Sequence, residues 1–172
     1  SARLAAALVR YWTYRGRWRE GRAYLESALG RGGGTDLDRA KLGMGAGHLA
    51  VQTQDFDVAS PLLHDALDAA VSADDPTVEA PICNVLARLA LSFGDGDEAE
   101  RLWTRATDAA TRSGDARTIS LVANSAAGGL VASGPFDAAL EPRDACLPIQ
   151  QEIGDDAGGL VTTNLMATCL GS

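Results

Sequence analysis

The sequence repeats itself at spacings of 38, 40 and 40 residues, and that period restricts the fold more than any other feature. Four segments align: GRWREGRAYLESA (16–28), QDFDVASPLLHDA (54–66), GDGDEAERLWTRA (94–106) and GPFDAALEPRDAC (134–146). Each opens on a turn. A small residue follows five positions on, at Gly21, Ala59, Ala99 and Ala139, and another seven after that, at Ala28, Ala66, Ala106 and Cys146. Trp18, Phe56 and Phe136 put an aromatic two residues into the segment, with Gly96 the exception. SADDP, RSGDA and EIGDD mark a second turn in the later periods. A period of this length with two helical patterns and two turns is that of stacked helical hairpins, because one hairpin cannot bury its apolar face alone. Small residues belong where helices cross closely, since a larger side chain would hold the backbones apart.

The expected fold is an all-α, right-handed helical-hairpin solenoid of about nine helices, at 2–15, 17–29, 37–53, 57–73, 76–93, 97–113, 116–133, 136–153 and 156–170. Residues 1–172 form one repeat domain, with repeats at about 2–30, 37–73, 76–113 and 116–153 and a final half repeat at 156–170. Asp57, Asp75 and Asp97 are the expected N-caps, Asp75 with Pro76 at the first helical position. Pro81 predicts a kink or a late start, and Pro142 and Pro148 an irregular eighth helix. Ala109 is expected on an exposed face. GRGGGTD (30–36) is the longest linker.

The pattern resembles the tetratricopeptide repeat (TPR). The matching residues are the turn glycines Gly16, Gly94 and Gly134, the aromatics above and the paired small residues. The family's small residue in the first helix of each hairpin matches Gly47, Ala87, Ala127 and Ala167, while Val9 departs from it in the first repeat. Residues 4–29 and 149–170 also look like the helical-repeat region of large bacterial LuxR-type transcriptional regulators. The resemblance implies that this chain is a fragment of a larger protein: the sensor or interaction segment of a regulator carrying an ATPase domain. A free-standing, peptide-binding adaptor of the tetratricopeptide type is the alternative.

Charge narrows the partners. The net charge is -8, but residues 1–41 carry nine Lys/Arg against four Asp/Glu, while residues 42–172 carry six against nineteen. An acidic majority argues against direct nucleic-acid binding. The arginine-rich RYWTYRGRWREGR (10–22) therefore reads as architecture: Tyr11, Trp12, Trp18 and Tyr24 at packing positions, and Arg15, Arg17, Arg19 and Arg22 crowding the turn and the outer side of the second helix. Docking on a neighbouring domain is the other use such a basic face has. No apolar run is long enough to span a membrane. Cys83, Cys146 and Cys169 are odd in number, widely spaced and on apolar stripes, which fits buried free thiols in a reducing, cytoplasmic setting.

Catalytic signals are absent. GMGAG (43–47) lies inside a helical pattern with no strand before it, so it reads as close helix packing rather than a dinucleotide loop. His48 and His64 have no partner at metal-ligand spacing. The expectation is a non-enzyme with no cofactor and no metal. One constellation stands out: Asn84, Asn124 and Asn164 fall 40 residues apart, each one residue after its hairpin's apolar stripe. Arg10, Met44, His48 and Arg88 occupy the same adjacent stripe in the other turns and repeats. By resemblance, that stripe lines a concave groove holding a protein or peptide partner, another part of the same chain included, or a small ligand. An amide suits peptide backbone without reading its sequence. Each asparagine bonding a neighbouring helix is the competing expectation.

Overall fold

The computed structural model describes residues 2–32 and 34–133, with seven helices and no strand among them. These are α1 (Ala2–Arg15), α2 (Trp18–Gly30), α3 (Asp36–Gln52), α4 (Phe56–Ser72), α5 (Pro76–Ser92), α6 (Gly96–Ser113) and α7 (Ala116–Ser133). They form three antiparallel hairpins and the first helix of a fourth; the expected eighth and ninth helices lie outside the described residues. α3 packs along α4 and α5 along α6, while α1, α3, α5 and α7 pack side by side in a row. The second helices make no comparable row. The solenoid is thus tighter along its first helices, which places them on its inner side.

Local chemistry explains the boundaries. Thr35 accepts from the Asp38 backbone N–H and the Asp38 carboxylate accepts from the Thr35 N–H, a capping box that starts α3 directly after the glycine linker. Asp75 accepts from the Thr77 N–H with Pro76 behind it. Two caps lie two residues earlier than the sequence pattern predicts. The N-caps are Asp55 and Asp95, and Asp57 and Asp97 fall in the first turns, where a carboxylate still faces the positive helix end. Asp95 accepts from the Glu98 N–H, whereas Asp55 turns its carboxylate to Arg22 and Thr53. α5 starts at Pro76 and continues through Pro81 to Ser92, so the late start does not occur there. Buried Val78, Glu79 and Ala80 before Pro81, and Ile82, Cys83 and Asn84 after it, hold the helix on both sides. Pro61 is accommodated at the matching place in α4.

The small residues sit at crossings. Ala59, Ala66, Ala99 and Ala106 are buried, as are Ala87 and Ala127 in first helices. α3 carries close approaches: a Cβ on Gly47 would stand 2.6 Å from the Leu63 side chain, and one on Gly45 2.7 Å from Val9. GMGAG is therefore a packing surface, with Val9 filling the space that Gly45 leaves. Ala109 is also fully buried, contrary to the expectation of an exposed face, because α6 continues to pack against α5 through its last turns. One core runs from α3 to α7; a smaller one joins Trp12, Leu25, Leu42, Ala46 and Leu49 across α1, α2 and α3. Of the four packing aromatics, Trp12 is buried and Trp18 half-buried, but Tyr11 and Tyr24 are 48% and 45% exposed. Tyr24 lies against the Trp12 ring, and Arg15 sits over Tyr11.

Candidate functional site

The row of first helices carries the predicted stripe. Arg10 on α1 and Arg88 on α5 are exposed, and Met44 and His48 on α3 are half-buried between them. Two hollows meet at His48. A cleft of about 570 Å3 is lined by Val9, Arg10, Tyr11, Thr13, Tyr14 and His48. A small pocket of about 70 Å3 is lined by His48, Val51, Phe56, Val85, Arg88 and neighbouring residues. The structure thus brings Arg10, His48 and Arg88 onto one continuous surface with His48 at its middle. Tyr14, 90% exposed, forms a rim of this cleft. Burial, and then the positive charge of Arg88, hold the His48 imidazole below its ordinary value, so it is a neutral donor and acceptor at pH 7. Met44 packs against the larger core.

The asparagines are not a uniform ladder in solvent. Asn84 is 3% exposed. Its Oδ1 accepts from the Trp103 indole N–H at 3.1 Å, and its Nδ2 donates to Ser125 Oγ at 3.1 Å. This amide ties α5 to α6 and α7 instead of facing a groove, as the competing expectation had it. The reason is Trp103: the previous hairpin has Leu63 in the facing position and Met44 opposite, whereas an indole brings a buried N–H that needs an acceptor. Trp103 fits only because Gly129 lies beneath it, where a Cβ would stand 1.7 Å from the ring. Asn124 is half-buried on α7, and Asn164 lies outside the described residues.

Sequence reasoning missed a buried charge. Glu79 on α5 accepts from Arg105 at 2.9 Å and Arg112 at 2.7 Å, two arginines seven residues apart on α6. Burial alone would raise its carboxyl, but hydrogen bonds from Arg112 and Arg105 and their charges outweigh that and hold it below the ordinary value. An acidic residue inside an otherwise apolar stripe was the available signal; its partners lie on another helix. Cys83 is a free, fully buried thiol, pushed up to about 11 by desolvation, and so chemically quiet.

Stacked antiparallel hairpins, small residues at the crossings and a row of first helices along the inner side define the fold as a TPR-like helical repeat. Solved structures share it. Aspartyl phosphate phosphatase F from Bacillus subtilis superposes with a TM-score of 0.85 at 13% identity over 98% of this chain. A kinesin light chain from Podosopora anserina with nearly identical TPR-like repeats superposes at 0.74 and 15% identity, over 97% of this chain and 84% of that one. The chain spans 45% of the phosphatase's length. No protein-family model and no curated protein sequence matches the chain. No helix among the described residues is long and apolar enough to cross a membrane.

Proposed function

We propose that this is a non-catalytic protein-binding repeat domain, whose inner surface takes a segment of a partner protein along α1, α3 and α5. The observation that carries the reading is the meeting of two hollows at His48, with Arg10 at one end and Arg88 at the other. Such a surface offers aromatic walls, two fixed positive charges and a neutral imidazole, a set suited to an extended segment that carries carboxylates. Met44 supports it from below, and Asn124 on α7 would extend it toward the fourth hairpin. The sensor segment of a bacterial ATPase regulator is the finer reading, and the free-standing adaptor is equally compatible with the fold. A P-loop encoded upstream in the same reading frame would separate the two. The binding test is selection from a peptide library of varied charge by wild type and by Arg10→Glu/Arg88→Glu. Acidic sequences should be enriched by wild type alone; identical selections would overturn the groove.

A further inference from the structure

A third hollow lies at the turn edge of the solenoid, with Gln52 on the border between it and the small pocket beside His48. It is a cleft of about 470 Å3 between the α1–α2 turn (Gly16, Arg17, Trp18, Arg19, Glu20) and the α3–α4 turn (Gln52, Thr53, Gln54). The repeat explains what ought to fill it. In the next interval along the solenoid, Phe56 and Phe93 meet edge to face at 5.6 Å across the two turns. Trp18 aligns with Phe56, but Thr53 stands where the next repeat has Phe93. Thr53 directs its hydroxyl inward, to the Ala50 carbonyl and the Asp55 carboxylate at 3.0 Å. Without a second aromatic across the turns, the gap that Trp18 lines stays open.

Two further departures fall on the same gap. Asp55 and Asp95 cap α4 and α6, with Asp57 and Asp97 in the first turns, and they complement the positive helix ends. The matching residues of α2 are Arg17 and Arg19, which oppose it. Gly16 and Gly94 hold the left-handed turn positions at φ +67 and +79, where Gln54 adopts φ +59 at a cost a glycine would avoid. Arginine at a helix start and glutamine in a glycine conformation each oppose local stability, and with the threonine that stands for a phenylalanine they line one cleft. Local rules broken together in one place mark a surface kept for binding.

The charges indicate what binds. Arg17 reaches only the exposed Glu20 at 3.3 Å. Arg22, on the adjoining turn of α2, is held by Asp55 at 2.5 Å and by Glu26 at 3.5 Å. Arg17 and Arg19 against Glu20 leave the lining of the cleft with an excess of positive charge in a chain of net charge -8. We infer that this turn-edge cleft is a second docking site, distinct from the inner groove, for an acidic segment of a partner protein that sets carboxylates on Arg17 and Arg19 and an apolar group on Trp18. Nucleic acid is disfavoured because its longer charged track would cross the acidic second helices, where Asp65, Asp68, Glu100 and Asp108 are exposed.

The test uses a fluorescein-labelled octaglutamate peptide and fluorescence anisotropy at low salt, with every variant, and the protein it is compared with, carrying Arg10→Glu/Arg88→Glu so that the inner groove does not take the peptide. Thr53→Phe changes no charge and should fill the cleft with a ring that meets Trp18 as Phe93 meets Phe56, weakening binding about tenfold, the order of one charge-assisted contact set. Arg17→Ala/Arg19→Ala should weaken it at least as much, while Arg31→Ala/Arg39→Ala, on the same basic part of the chain but outside the cleft, should not. Far-UV circular dichroism shows whether each variant is folded, and the arginine pair decides the matter if Thr53→Phe is not. Equal binding by folded Thr53→Phe and the comparison protein would overturn the inference. So would equal losses in both arginine pairs, no binding to the comparison protein, stronger competition by oligothymidylate, or self-association abolished by Thr53→Phe. Arg10→Glu/Arg88→Glu should leave octaglutamate binding at this cleft in place, so failure of the groove and failure of the cleft are read separately.

Discussion

Replacing Asn84 by leucine isolates the polar contact that joins the third hairpin to α7. Leucine shares asparagine's branched skeleton of four side-chain heavy atoms and is bulkier, so no cavity opens; what changes is that the Trp103 indole N–H, on a residue 6% exposed, loses its acceptor. A buried donor left unsatisfied costs about 1–3 kcal/mol. Ser125 loses a donor as well, but its hydroxyl can turn to a carbonyl of its own helix and adds little. Asn84→Leu should therefore destabilise by about 1–3 kcal/mol, with the melting temperature falling about 2–4 °C for each kcal/mol. Trp103→Phe removes the donor but also packing, so it too should destabilise. The combination Asn84→Leu/Trp103→Phe leaves no orphaned N–H and should cost less than the sum by about 1–2 kcal/mol, the coupling expected of directly bonded side chains. Urea unfolding followed by far-UV circular dichroism measures all three without relying on tryptophan emission. An unchanged midpoint for Asn84→Leu, or energies additive within about 0.5 kcal/mol, would refute the structural role of this amide.

Two further outcomes follow from burial and charge. Ala99→Leu should overpack the α5–α6 crossing by about 1–3 kcal/mol, and because Ala109 is as buried, Ala109→Leu should cost a similar amount; thermal melts that separate the two widely would contradict the packing of α6 along its whole length. Glu79 and His48 both hold fewer protons folded than unfolded, so the stability they contribute is present above their ordinary values of 4.5 and 6.5 and is lost as pH falls through and below them. Glu79→Gln should flatten the acid limb below pH 4.5, and His48→Gln the slope just below 6.5, in urea midpoints measured across pH; slopes identical to wild type would show that these groups titrate alike in both states.

Much of the architecture was legible in the chain because its signals act over a few residues. Seven helices begin and end within a residue of where turn glycines, aspartates and Pro76 place them, since caps and left-handed turns are decided by groups one to four positions apart. The small residues at Gly21, Ala59 and Ala99 recur with the period, so the hairpin crossings were readable as well. The helix face was readable as well: Arg10, His48 and Arg88 share a surface because their spacing fixes it. What Asn84 does there was not readable, because its partners lie 19 and 41 residues away on two other helices. The same holds for Glu79, whose arginines come from α6, and for Ala109, buried by the length over which α6 meets α5. The open gap beside Trp18 depends on one missing phenyl ring across two turns. Periodicity determines which face a residue occupies; only the packed helices decide what stands opposite it, and whether a polar group there meets solvent, a partner helix or an empty cleft.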